Sequence, residues 1–115
     1  MSDMSRIVAA IKPLKVPYTA YAWPEEDGRT RVPNLPHIVF YESGETVQFA
    51  DGRRYEAFTE YSLELWEKAP DRDLRLRLEL ALEGAFGPFG KDTHRDKKEQ
   101  CVVTTYDFTV IPERG

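Results

Sequence analysis

The amino-acid sequence predicts a single α+β domain: one antiparallel β-sheet of about four strands with two helices packed on one face. Three observations predict it. The segment 54–68, RYEAFTEYSLELWEK, alternates with a period of two, a second alternating run occupies 100–111, and the stretches 4–11 and 71–86 repeat apolar residues at helical spacing. The order α, β, β, β, α, β then calls for one antiparallel sheet with its helices segregated to a single side.

The long segment is the predicted centre. Tyr55, Ala57, Thr59, Tyr61, Leu63 and Leu65 share one face, and Glu56, Phe58, Glu60, Ser62, Glu64 and Trp66 share the other. A helical period would scatter these aliphatics, and the content of Tyr, Phe, Thr and Trp also favours a strand. At about 3.3 Å per residue such a strand crosses a whole small domain.

From the start of the chain, Met4, Ile7, Val8 and Ile11 recur at i, i+3, i+4 and i+7, with Asp3 placed to cap and Pro13 forcing an end near Lys12. Residues 16–23 alternate loosely, and Pro17 confines them to an edge strand. The next stretch, 24–36, is rich in proline and charge and reads as a long loop, a place to meet a partner. HIVFYE at 37–42 is apolar on both faces and belongs inside the sheet. Residues 43–48 extend that strand or form a wide turn, and Ala50, Asp51 and Gly52 turn the chain into the long strand.

Pro70, Asp71 and Asp73 suit a helix start. Along 71–86, Leu74, Leu78, Ala81, Leu82 and Ala85 form the stripe that faces the sheet. Leu76 and Leu80 project about 200° to 240° away from Leu74, onto a charged face. They are candidates for contact with another chain. Gly84, Gly87, Pro88 and Gly90 end the helix, the charged run 91–99 is a solvated strand or hairpin arm, and the last strand points Val102, Thr104, Tyr106, Phe108 and Val110 inward. Cys101, Val103, Thr105, Asp107 and Thr109 then face outward, and the long strand is the expected neighbour.

Composition bounds the function. At 115 residues, 41% hydrophobic and 12% aromatic with net charge −4, this is one domain, 1–115, able to bury a core without disulfides or metals. A pI near 5.2 gives no electrostatic case for gripping DNA. The single Cys101 cannot form an intrachain disulfide, which suits a reducing compartment. No apolar run approaches the roughly 20 residues needed to span a bilayer, and there is no signal-peptide pattern, so synthesis in the cytoplasm without membrane insertion is expected.

No catalytic signature is found. His37 and His94 sit in no ligand spacing, one cysteine cannot build a usual zinc site, and the glycines at 84–90 follow a helix where a phosphate loop would precede one. No catalytic, cofactor or metal residues are expected. Glu56, Glu60 and Glu64 lie on one strand face, but successive members are separated by roughly 13 Å, too far to share one glycosidic bond. They fit a solvated face, or an acidic wall facing a channel or a partner.

Pro36 with Ile38, Val39 and Tyr41, then Ala50 and Asp51, then Tyr55, carry a pattern that continues through Tyr61, Leu63, Glu64, Leu65 and Trp66. It ends with Asp73 and the leucine helix, Glu99, Tyr106 and Phe108. Over residues 14–111 this pattern resembles the tail-completion and tail-terminator (head-to-tail joining) proteins of long-tailed bacteriophages and prophages. In that family Trp66 is more often tyrosine, and the 24–36 loop is unusually charged here.

The resemblance implies a virion protein, not an enzyme: a homo-oligomer, typically a hexameric ring, that completes the tail tube and joins it to the head connector while DNA passes through unbound. Leu76, Leu80, Phe58 and Trp66 are then candidates for the subunit interface, and Glu56, Glu60 and Glu64 for an acidic lumen. The alternative is a soluble, immunity-like module that holds a peptide or ligand on Phe58 and Trp66.

Overall fold

The computed structural model describes residues 2–50 and 54–111, without the side chains of 46–50 and 54–57. Helix α1 (Asp3–Ile11) begins at Ser2, whose hydroxyl accepts a hydrogen bond from the Ser5 N–H. The cap is therefore Ser2 and not Asp3, which sits in the first turn, where its negative charge faces the positive end of the helix dipole. Proline at position 13 converts the chain into a 3-10 turn, Lys12–Leu14.

Among the described residues seven strands follow: β1 (Tyr18–Ala20), β2 (Glu25–Glu26), β3 (Arg29–Thr30), β4 (His37–Ala50), β5 (Arg54–Glu67), β6 (Gly90–Asp96) and β7 (Cys101–Val110), with helix α2 (Arg72–Phe86) between β5 and β6. The main sheet has five strands in the order β1-β4-β5-β7-β6, and β2 pairs with β3 apart from it. The molecule is α+β, but its sheet corrects the expectation of a single antiparallel sheet of about four strands. It is larger and it is mixed, because β1 runs parallel to β4. Pro17 suits that edge, since it lacks an N–H and its carbonyl still accepts from Ile38 N–H at 2.8 Å.

The parallel pairing forces residues 21–36 to cross back along the sheet, with a small hairpin, β2–β3, inside what reads from sequence as an irregular loop. β5 lies centrally, between β4 and β7, and β7 is its neighbour as expected. β4 continues through residues 43–50, with a bulge between Glu42 and Gly44. The Asp51–Gly52 turn lies outside the described residues.

One core joins both helices to one face of the sheet. Ile7, Ile11 and Leu14 from the first helix and its 3-10 extension meet Leu74, Leu78 and Leu82 of α2 over Ile38, Phe40, Leu63, Leu65 and Tyr106. The period-two reading of β5 is correct where side chains are described, with Tyr61, Leu63 and Leu65 all buried. The α2 stripe is correct at its three leucines, but Ala81 is half-buried and Ala85 exposed. The last turn instead meets the sheet through Phe86, whose ring stacks on Phe108 of β7 at 4.9 Å.

The opposite face is not uniformly solvated. Cys101 and Val103, expected on the outward face, are each 1% exposed. They do point away from the helices, but the 21–36 segment covers that end of the sheet.

Candidate functional site

The crossing segment and the helix-free face of the sheet enclose a groove of about 580 Å³. Its floor comes from strand positions in register: His37 opposite Trp66, Val39 opposite Glu64. Its wall and rim come from Tyr21, Trp23 and residues 32–35.

Its aromatic side chains are locked together. The His37 ring lies 5.0 Å from Trp23 in an edge-on arrangement and 5.9 Å from Trp66 at a shallow tilt. Its Nδ1–H donates to the Pro33 carbonyl at 3.2 Å, which fixes the proton on Nδ1 and ties the segment to the sheet. Burial, only partly opposed by that bond, holds the His37 pKa below the usual histidine value.

Glu64 accepts from both sides. Tyr41 donates its hydroxyl to one oxygen at 2.9 Å and Trp66 its indole N–H to the other at 3.0 Å. The carboxylate thereby orients Trp66. Burial, then the hydrogen bond to Glu64 and its charge, push the Tyr41 hydroxyl above its normal pKa, so Tyr41 remains a donor. At the groove's end, burial followed by the charges of Asp96 and Glu99 pushes the Cys101 thiol up, which keeps it protonated and unreactive.

The groove thus collects a histidine, a carboxylate and a thiol: the Nδ1 edge of the histidine is held by a backbone carbonyl, the carboxylate by Tyr41 and Trp66, and the thiol is buried. What the arrangement offers is an aromatic surface with acidic groups, Glu64 and Glu99, along it. Among the described residues, no group of three or more His, Cys, Asp or Glu side chains is placed to hold a metal ion.

The residues singled out from sequence fall on several surfaces. Trp66 and Glu64 share the groove, both half-buried. Phe58 is on the same sheet face but eight positions back along β5, about 26 Å at strand rise. Glu60 is exposed at the bulge, where its Oε2 lies 3.0 Å from the position of a Cβ on Gly44. The Glu56 side chain lies outside the described set. Leu76 and Leu80 project from the outer surface of α2, 54% and 60% exposed.

Tyr21, Trp23, His37 and Cys101 belong to no site that the sequence predicts. The available signal was Trp23 just before the proline-rich loop and His37 just after it, with Trp66 on the matching face of the long strand.

A second polar constellation stands on the helix side. Glu79 of α2 accepts from Lys91 Nζ and from the Tyr106 hydroxyl, each at 2.8 Å. Burial alone would raise the Glu79 pKa, but these two bonds outweigh it and hold the carboxyl below the usual value. The contact pins α2 to β6 and β7.

No family model and no curated protein matches this chain. Among solved structures, a chain from the "Virion of native gene transfer agent (GTA) particle" is similar in fold at a TM-score of 0.48 and 12% identity, over 90% of this chain and 81% of that one.

Proposed function

We propose that this protein is a structural subunit of a phage-type virion, one that assembles into a ring completing the tail tube and joining it to the head connector. The observation that carries this reading is the β4–β5 ribbon. β5 pairs with β7 only from Thr59 onward, so residues 45–50 and 54–58 continue as two strands with no third neighbour among the described residues. The molecule is accordingly long, 50 × 35 × 26 Å, with a radius of gyration of 15.8 Å. A compact chain of this length is expected near 13 Å. A projecting arm has little use in a solitary globule, whereas a ring subunit needs such reach to neighbouring subunits or rings.

The groove supports the same reading, because Glu64 and the Nδ1 edge of His37 are engaged in holding its walls together. Under it, the partners are copies of the chain, the tube protein and the connector protein. DNA passes through an acidic bore to which exposed Glu60 contributes, while Glu64 serves the groove and the side chain of the third candidate, Glu56, lies outside the described set. Carboxylates there repel phosphates over a Debye length of about 8 Å.

Electron microscopy of purified particles tests the proposal. Density of this fold, in a ring at the head and tail junction, is expected; its absence from particles overturns the reading.

One observation favours a second reading. A groove of about 580 Å³ lined by aromatics falls in the range of ligand pockets, roughly 300–1,000 Å³, as a peptide- or ligand-binding module would require. Gene neighbours separate the two: capsid, portal and tube genes alongside support the ring, a toxin gene the module.

A further inference from the structure

The groove between the crossing segment and the sheet carries charge of one sign. Glu64 and Glu99 line it, no Lys or Arg does, and burial keeps His37 neutral at physiological pH. Among the described residues neither carboxylate has a Lys or Arg in ion-pair range. Glu99 is exposed and water compensates it, but Glu64 is half-buried on the floor, opposite Val39 and beside Trp66. A charge partly withdrawn from water with no opposite charge near it is costly, and a cation entering the groove would offset that cost.

The surroundings specify which cation. One Glu64 oxygen accepts from Tyr41 and the other from Trp66, so each retains one lone-pair direction. Two parallel N–H donors suit what is left, and a guanidinium supplies them where an ammonium does not. The Trp66 indole is held beside the carboxylate by its own N–H, and an indole face attracts a planar cation. Tyr21 and Val32, more than half exposed at the rim, offer apolar surface to a methylene stem.

We propose that the groove binds an arginine side chain presented by an extended segment of a partner protein, with the guanidinium on Glu64 and against the Trp66 indole. The length of the groove favours a segment over a free small cation. Cys101, at its far end, lies four strand positions beyond Glu64, roughly 13 Å at strand rise. A lone guanidinium would leave most of that length, and Glu99, unmet. The inference deepens the binding-module reading by naming its ligand chemistry, and it applies also to a ring subunit whose neighbour presents the arginine.

The chain's two tryptophans, Trp23 and Trp66, both belong to the groove, so intrinsic fluorescence of the full chain reads this site alone. The probes are end-blocked peptides with glycines flanking one central arginine, lysine, citrulline or leucine, and end-blocked arginine by itself as the free cation. The arginine peptide is expected to give a saturable change that weakens as salt is raised. The lysine peptide should bind more weakly, and the citrulline peptide, of the same shape but neutral, should have no effect. Glu64→Gln, its fold checked by circular dichroism, should bind the arginine peptide roughly tenfold more weakly. Glu99→Gln, at an exposed position, should weaken it only about twofold.

No change with the arginine peptide at millimolar concentration overturns the inference, as does wild-type affinity in Glu64→Gln. Citrulline or leucine binding as tightly as arginine also overturns it, by making the groove an apolar peptide site, and leaves the binding-module reading standing. Blocked arginine matching the peptide overturns it in favour of a free cation. The ring reading is decided separately, on particles, and none of these results bears on it.

Discussion

His37 sits between two indole rings with its Nδ1 proton on the Pro33 carbonyl, and a second ring proton there would add a charge to a site with 6% exposure. Its folded-state pKa is lowered from 6.5 by burial. Between that lowered value and 6.5 the unfolded chain holds the extra proton. The stabilisation is therefore complete above pH 6.5 and is lost as pH falls through the window. Denaturant melts should show it, and His37→Phe, which keeps an aromatic ring, should flatten the profile across that window.

Glu67 behaves in the opposite sense. It is 1% exposed, accepts the Asp71 N–H at 2.8 Å and lies 4.0 Å from the Arg75 guanidinium. Burial raises its pKa from 4.5, outweighing the Asp71 bond and the Arg75 charge. From 4.5 up to the raised value the folded chain holds the extra proton, so stability falls as pH climbs through that range. Glu67→Gln keeps an acceptor for Asp71 and should remove this slope in melts at successive pH values. Glu67→Ala should cost about 1–3 kcal/mol at neutral pH, because the Asp71 N–H and Arg75 both lose a partner.

At the level of elements, α2 is held by its apolar stripe and by its N-terminus, where Asp71 accepts the Leu74 N–H at 3.1 Å. Asp71→Ala should lower stability by about 1 kcal/mol. Leu78→Ala, at a fully buried position facing the sheet, should lower it by about 2–5 kcal/mol. Both are measured by urea unfolding.

The same elements show why part of the fold was legible and part was not. Leu74, Leu78 and Leu82 on α2, and Tyr61, Leu63 and Leu65 on β5, bury by local periodicity, which depends only on residue spacing. The parallel pairing of β1 depends on where residues 21–36 travel, and three residues at an edge carry no pattern that reveals it. The same route decides Cys101 and Val103, whose alternation correctly points them away from the helices while the crossing segment covers them. The groove was hidden for that reason: Trp23, His37 and Trp66 meet only once the crossing is made, although each lies on the side of its strand or loop that alternation or composition suggests.

For the whole molecule, net charge −4 and an exposed acidic residue at the bulge argue against grip on nucleic acid. Fluorescence anisotropy with duplex DNA at physiological salt should show no binding. Shape supplies the sharper test. The five-stranded sheet keeps its full ladder between β5 and β7 from Thr59 to Glu67 whatever happens beyond Thr59, because the ribbon contributes no rung to it. Glu45 and Thr59 face each other across β4 and β5, so residues 46–58 can be replaced by Asn-Gly, the two-residue turn whose twist suits a hairpin. The shortened protein should melt within about 5 °C of the full chain, a shift that corresponds to roughly 1 kcal/mol in a domain of this size. Under the proposed ring reading it should nonetheless fail to support the joining of heads to tails, scored by electron microscopy of particles made with it. Joining that survives the deletion would remove the ribbon from the contacts of the proposed ring, and a collapse of the melting transition would make it part of the fold's foundation and not an arm.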